Sequence, residues 1–554
     1  MFIYLCAYEM EMSELFLNQD LEFKKKETFS YVYNNRTGWF FPGGEWLWKF
    51  LESFRYGRKI VAQERNSDPM LEKLLHELMK HRYLLSEMGT EFREYLDFYP
   101  TRTLYTVFYR HDIGTDVAIQ RKGRHGEVDY DIVTLKGLSK ALWDLCDGSK
   151  KLRDIINILT EKTEESYAIT KSRVFGLMKD WTSLSMQIIR MLPEPLSNYS
   201  VVPSQLLVPA PFLPSLKAPA SRKAKDVRKY YIKGITDAYR QFESVESTLS
   251  HIYRIPHPIL DGKSYGEALL LRILEMKSIE MGCRILEIGG GYGDISKDIL
   301  EGLSKEKPEL SHRLTYIVYD LSPELIYSQR RLHEKAGTHV EHILGDAQNL
   351  AVANASVDIA LSNEAIADFA TPEMTIREVN EIPKKYGIPL TRQFMDSLTN
   401  APERFRLNLG AFRLLKEIER VLKPGGLAII TEYGYQDKLP SRAEHLDHEE
   451  YSIHFGHMVA VANALGLKVE ITDAFRFLGF RTDVELITHP SFQAAFRILE
   501  HNGIHLPNIV YTKELFYEQL GERADFFENI QFVKCRKEPI EIVKVLICTK
   551  PAPT

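Results

Sequence analysis

The sequence predicts an α/β protein: a mostly parallel sheet with helices on both faces, preceded by two small α+β units. Three observations carry this. From about residue 265 onward, short β-rich apolar runs alternate with segments whose apolar positions recur at helical spacing. A proline-rich stretch, "LPEPLSNYSVVPSQLLVPAPFLPSLKAPA", divides the chain between Leu192 and Ala220. A glycine-rich run, "ILEIGGGYGDIS" at residues 285–296, joins the first strand of the alternating part to its first helix.

Length and composition set the bounds. With 554 residues the chain is too long for one core, and 44% hydrophobic and 27% charged residues are those of an ordinary globular protein. Lys and Arg number 71 against 76 Asp and Glu, so no global charge argues for nucleic acid or an anionic membrane. Cys6, Cys146, Cys283, Cys535 and Cys548 have neither paired nor ligand-like spacing, which reads as reduced thiols and not as a disulfide framework or a metal site. The opening "MFIYLCAYEMEM" lacks a basic start and a cleavage motif and reads as a start-site artefact or a first strand. No apolar run approaches the ~18 residues of a membrane span. The expectation is a cytoplasmic protein without membrane or nucleic-acid partners, and a homodimer is left open.

The elements follow in order. Residues 1–98 form a first α+β unit, with "SYVYNNRTGWFFPGGEWLWKFLESF" supplying strands, a turn and a helix, and "PMLEKLLHELMKHRYLL" a second helix. Trp46 and Trp48 read as core fillers there. Residues 99–192 form a second unit, in which "VAIQRKGRHGEVDYDIVTL" supplies strands and "ALWDLCDGSKKLRDIINILTEK" two helices around an Asp147-Gly148 turn. Residues 193–222 are the linker. From 223 to 554, strands are expected at "RILEIG", "LTYIVYD", "VDIALSN", "LAIITEYG", "KVEITDAF" and "EIVKVLICT". Helices are expected at "DISKDILEGLSKE", "SPELIYSQRRLHEKAG" and "GAFRLLKEIERVL".

In an open parallel sheet, ligands bind beyond the carboxyl ends of the strands. Gly289, Gly290, Gly291 and Gly293 would let backbone amides approach such a ligand closely. Asp320 ends the second strand, placed to accept hydrogen bonds from both ribose hydroxyls of an adenosine ligand, and Leu321 follows it. Asp346 and Ala347, in "LGDAQNL", would flank an adenine ring, and the fourth strand runs into Asn363 and Glu364.

This series resembles the class I S-adenosylmethionine-dependent methyltransferases, over roughly residues 265–480 with a final strand near 541–550. The resemblance rests on E-x-G-x-G-x-G, a strand-end acid, G-D-A and "LKPGG" together. It implies a Rossmann-like, seven-stranded domain that uses S-adenosylmethionine and releases S-adenosylhomocysteine. It implies too that Glu287, Gly289, Gly291 and Gly293 face the methionine moiety, with Asp320 on the ribose, Asp346 on the adenine, and Leu321, Ala347 and Asn363 beside them. "YDLSPELIYSQRRL", "LSNEAIADF" and "ITEYG" look like MidA-type enzymes, which modify protein side chains, and "EIGGGYG" is also similar to sugar O-methyltransferases. The chain departs from the MidA pattern by insertions near 370–410 and 480–540, taken here as substrate insertions.

Methyl transfer is an in-line displacement, to which a protein contributes positioning and, for a protonated acceptor, a base. Candidates for that role are Glu364 and Asp368 after the fourth strand, Glu432 at the end of the fifth, and His454 near a helix start.

"LCDGS" at residues 145–149, followed by Asp154-Ile155, resembles the PqqD-like domains, winged-helix units that recognise leader peptides of ribosomally made natural products. The resemblance covers about residues 100–190, and residues 1–98 read as a divergent second copy. It implies a precursor peptide as partner, captured as an added strand and methylated by the C-terminal domain. Three alternatives remain: a MidA-like enzyme acting on a protein, a small-molecule N- or O-methyltransferase whose N-terminal units only dimerise, and a non-catalytic cofactor-binding assembly factor.

Overall fold

The computed structural model describes residues 15–200 and 248–552, apart from positions 20, 26–29, 35, 43–44, 56–57, 59–68, 86–91, 105, 123–127, 184–185, 312, 446–447 and 537–540. The opening segment, most of the linker and the basic stretch after it lie outside the described residues. The chain divides into two compact units. One comprises residues 1–220 with 487–506 and 517–531, and the other residues 221–486 with 507–516 and 532–554.

The second unit is built on a seven-stranded sheet. Its strands are β1 (Arg284–Ile288), β2 (Thr315–Asp320), β3 (Glu341–Leu344), β4 (Val357–Asn363), β5 (Leu422–Tyr435), β6 (Lys468–Asp473) and β7 (Val543–Thr549), in the order β3-β2-β1-β4-β5-β7-β6. All neighbours are parallel except β7, which runs antiparallel to both β5 and β6. A two-residue strand, Ile453–His454, extends the sheet from the far end of β5. The order reverses at β1 and β4, the switch point where ligands bind in such sheets.

Period-two alternation buries both faces, as a parallel sheet requires. Leu286 and Ile288 of β1 and Ala360 of β4 join one core with α4 (Leu409–Val421) and α5 (Phe455–Ala464). Ile285 and Ile359 join the other with α1 (Tyr265–Met276) and α2 (Asp294–Glu306). Helix α3 (Pro323–Ala336) starts on the Ser322 cap with Pro323 in its first turn and stops at Gly337, φ +69°. The insertion near 370–410 folds into three short helices, and their Val379, Ile382 and Phe394, with Leu398 capping the third, join the first core.

In the first unit, Leu21–Lys25, Ser30–Asn34 and Phe40–Pro42 form an antiparallel meander followed by helices Glu45–Glu52 and Pro69–Lys80. Trp48 is half-buried, 5.8 Å from the Phe23 ring. Trp46 does not fill the core expected of it: it is 60% exposed. A second meander, Phe108–His111, Gly114–Lys122 and Val128–Leu135, is followed by helices Leu138–Leu145, Leu152–Thr163 and Tyr167–Trp181. Trp143 is fully buried between Phe108 and Trp181. The Asp147-Gly148-Ser149 turn has a local cause. The Asp147 carboxylate accepts from the Ser149 N–H at 2.9 Å, and a Cβ on Gly148 (φ +79°) would lie 2.6 Å from Thr101 Oγ1.

The segment near 480–540, expected in the C-terminal domain, is divided: residues 487–506 and 517–531 cluster with the first unit, and residues 507–516 and those from 532 on with the second. Phe527–Glu528 pairs with Phe108–His111 as a fourth strand. Helix His489–His501 lies against the same sheet, where Asn502 Nδ2 donates to Asp116 at 2.8 Å. The helix has an apolar face, Phe492, Ala495, Phe496 and Leu499, that needs a cover. Sequence cannot say which sheet provides it.

Candidate active site

The glycine run leaves β1 between β2 and β4, where little space remains. A Cβ on Gly289 (φ +72°) would lie 2.6 Å from the Ala365 Cβ, so the residue is held to glycine by both conformation and room. The Gly289 N–H donates to the Tyr319 carbonyl at 2.9 Å, and the Gly293 N–H closes a turn on Gly290 at 2.8 Å before α2 begins. Gln329, on the inner face of α3, donates to the Gly291 carbonyl at 2.8 Å and to Asp320 Oδ2 at 3.1 Å. One amide thus locks the loop to the strand-end acid.

Asp320 is 6% exposed, and its Oδ1 accepts from the Ser322 N–H at 3.0 Å. Burial raises its carboxyl to about 6 against this hydrogen bonding. Backbone N–H groups of Leu321 and Gly291 also reach this carboxylate, and it lines the cavity, where a bound diol would meet its acceptor oxygens. Asp346 caps the short turn after β3, accepting from the Gln348 N–H at 3.0 Å.

These groups open on one cavity of about 730 Å³ beyond the carboxyl ends of β1, β2 and β4. Of the expected cofactor residues, Gly289, Gly291, Asp320, Leu321, Asp346, Ala347 and Asn363 line it; of the expected catalytic ones, Glu364 and Asp368 do. Four do not, and each has a physical reason.

Glu287 shares the face of Ile285, behind the loop: it is 1% exposed and accepts from the Tyr316 hydroxyl at 3.1 Å. Burial raises its carboxyl to about 8. Gly293 faces the His333 ring, 3.3 Å from where a Cβ would be, and serves as the α2 cap at φ +91°. Glu432 is 2% exposed and is spent on the backbone, accepting from the Ala367 N–H at 3.0 Å and the Tyr433 N–H at 2.8 Å. Burial and the nearby Glu364 hold its carboxyl well above the usual range. His454 caps α5, its Nδ1 accepting from the His457 N–H at 3.2 Å while the two rings stack at 3.5 Å. Burial lowers the basicity of both imidazoles, that of His457 to about 3.

The far wall is the loop after β4. Glu364 has φ +47°, a left-handed conformation costing a non-glycine residue about 1–3 kcal/mol when held at a site. Its N–H donates to the Thr431 carbonyl at 2.7 Å, and its Oε2 accepts from the Leu249 N–H at 2.5 Å. Asn363 is held by the Tyr265 hydroxyl. Phe369, Ala370 and Thr371 continue the wall, and Glu449 and Tyr451 face it from the strand His448–Tyr451. Sequence reasoning missed Gln329, Asp294, Arg413, Glu449 and Tyr451. A signal existed for Gln329, because Leu325, Gln329 and His333 fall four apart on the buried stripe of α3.

The comparisons with known proteins agree with this geometry where they bear on it. The family described as "Methyltransferase domain" matches residues 279–466, which span β1 to α5. This stretch is a methyltransferase domain. The protein is a methyltransferase that uses S-adenosylmethionine, and the cavity fits that group through its glycine cradle and a buried acid that asks for hydroxyl donors. A search of curated proteins returns no match.

Solved structures similar to the chain include the [4+2]-cyclase SpnF, at 13% identity over 60% of this chain and 100% of the other, with a TM-score of 0.34. Another is phosphoethanolamine N-methyltransferase 2 of Haemonchus contortus (14%, 52% of this chain, TM-score 0.30); the chain spans about half of that protein, 53%. A third is a TehB-like S-adenosylmethionine-dependent methyltransferase of Corynebacterium glutamicum (18%, 38% and 79%, TM-score 0.22).

When bound, S-adenosylmethionine supplies an electrophilic methyl group on a sulfonium. This chain's residues supply the rest. The loop, tied to α3 by Gln329, would bound the nucleoside, Asp320 and Asp346 would offer it polar groups, and Glu432 holds the turn at Ala367 between Glu364 and Asp368. Among the described residues, no helix is long and apolar enough to cross a membrane.

Proposed function

We propose that the enzyme methylates a ribosomally made precursor peptide that its PqqD-like unit captures. The observation that supports this reading is the second meander of the first unit. Three antiparallel strands precede three helices, and Phe527–Glu528 occupies the edge of Phe108–His111. Among the described residues, Val128–Leu135 pairs with Gly114–Lys122 alone, so the other edge of the sheet offers main-chain donors and acceptors for an added strand. Capture would raise the effective concentration of the acceptor residue, so the catalytic cavity itself can bind weakly. A cytoplasmic location, where such precursors are made, fits this role.

The test is hydrogen exchange on the full-length protein with synthetic peptides encoded beside its gene. Slowed exchange confined to residues 128–135 supports the proposal. Binding without that protection, or no binding, would leave a methyltransferase whose first unit serves another purpose.

A further inference from the structure

The back of the glycine loop rests on one face of α3, and that face is polar where it meets the loop. Leu325, Gln329 and His333 fall one turn apart on it, and Leu325 reaches the cavity. Gln329 is 0% exposed, and its amide nitrogen donates to the Gly291 carbonyl at 2.8 Å and to Asp320 Oδ2 at 3.1 Å. The Gly291 N–H reaches the same carboxylate, so loop, acid and amide close a ring of hydrogen bonds. One turn on, the His333 ring packs on Gly293. Its Nε2 lies 2.9 Å from Ser296 Oγ in the first turn of α2, and its Nδ1 3.1 Å from Nε2 of His342 in β3. Helix α3 therefore braces the loop at both ends.

The Gln329 amide does little for packing alone. Its Oε1 is buried and has no hydrogen-bond partner, and a carbonyl left so destabilises a fold relative to an apolar group of the same shape. Turning the amide over would bring Oε1 against the Gly291 carbonyl and the Asp320 carboxylate, so its N–H groups stay committed to these two. Among the described residues, Gln329 is the one side chain that donates to Asp320. The other donors are the backbone N–H groups of Gly291, Leu321 and Ser322. Leu321 and Ser322 follow the acid directly and move with it. The Gly291 contact depends on the loop, which Gln329 itself ties.

We propose that Gln329 is a positioning residue for the cofactor: it fixes the plane of the Asp320 carboxylate against the loop, so that both ribose hydroxyls meet an oxygen. This rests on the reading of Asp320 as the ribose acid. Gln329 does not line the cavity and acts through its two partners. Methionine matches its length and bulk but has no donor. With Met at 329 the carboxylate can turn about its Cβ–Cγ bond and the loop loses its tie to α3, while the packing of the helix is kept.

The test is calorimetric titration of the full-length protein with S-adenosylhomocysteine and with its 2′-deoxyribose analogue. The ratio of the two affinities reports the diol contact and cancels any general loss of binding. The unaltered protein should favour the diol by about tenfold or more, and Gln329→Met by less than about threefold. Without ligand, Gln329→Met should melt within about 3 °C of the unaltered protein. If it melts far lower, Gln329→Asn, whose amide stops one methylene short of both acceptors, carries the test by the same ratio. A ratio that survives in the variant that folds would make Gln329 a packing residue and overturn the proposal alone. No preference for the diol in the unaltered protein would overturn the reading of Asp320 beneath it, and absence of S-adenosylhomocysteine binding the cofactor reading as well.

Discussion

Replacing Asp320 by Asn should weaken S-adenosylhomocysteine binding and abolish its pH dependence near 6. The carboxyl lies at about 6 instead of 3.8 because burial disfavours its charge. Two pH units correspond to about 3 kcal/mol withheld from the ionised form. Ribose hydroxyls donating to both oxygens would return much of it, since hydrogen bonds to a charged group contribute about 1.5–3 kcal/mol each. Binding therefore favours the ionised state. From pH 5 to 6 affinity should rise up to about tenfold per unit, and it should level above pH 7. Asn keeps the shape and can accept from the Ser322 N–H, but it has one acceptor oxygen and no charge. The expected loss at pH 7.5 is about 2–3 kcal/mol, some 30- to 150-fold. Titration calorimetry at pH 5, 6, 7 and 8 measures both quantities. A flat profile in the unaltered protein, or the same slope in Asp320→Asn, would refute the assignment.

Other consequences concern stability and loop geometry. Glu287 titrates at about 8 in the folded protein against 4.5 unfolded, so the folded state holds its proton and stability falls as pH rises between those values. Glu287→Gln, which still accepts from Tyr316, should match the unaltered protein in thermal melting at pH 5 and exceed it at pH 8 by a few kcal/mol. An equal difference at both pH values would contradict this. Gly289→Ala forces a Cβ against Ala365 at positive φ and should cost about 1–3 kcal/mol of stability, with S-adenosylhomocysteine affinity down at least tenfold. Unchanged affinity would place the cofactor elsewhere. His454→Ala removes a helix cap and should lower stability by about 1 kcal/mol while leaving that affinity within threefold. A large loss of affinity with the fold intact would return His454 to the site.

What could be read from the sequence was mostly local. Gly289, Gly291, Asp320 and Asp346 stand at strand ends, where a parallel sheet gathers ligand groups whatever the rest of the chain does. The failures came from facing and distance. Glu364 follows β4 whereas Glu432 lies within β5, whose apolar run continues past it, so the sequence shows no strand end to separate cavity from interior. Glu287 fails in the same way, since its neighbours Leu286 and Ile288 take the opposite face. His454 sits where a helix begins, and capping by an imidazole leaves no mark in a pattern of apolar residues. The placing of 487–506 and 517–531 needed contacts with residues several hundred positions earlier, which periodicity cannot supply.

The most direct test of the account is a crystal structure of the protein with S-adenosylhomocysteine bound. The account predicts both ribose hydroxyls on the Asp320 carboxylate, the adenine between Asp346 and Ala347, and the sulfur facing Glu364. A nucleoside bound away from Asp320, or a cavity that stays closed to it at saturating concentration, would contradict it.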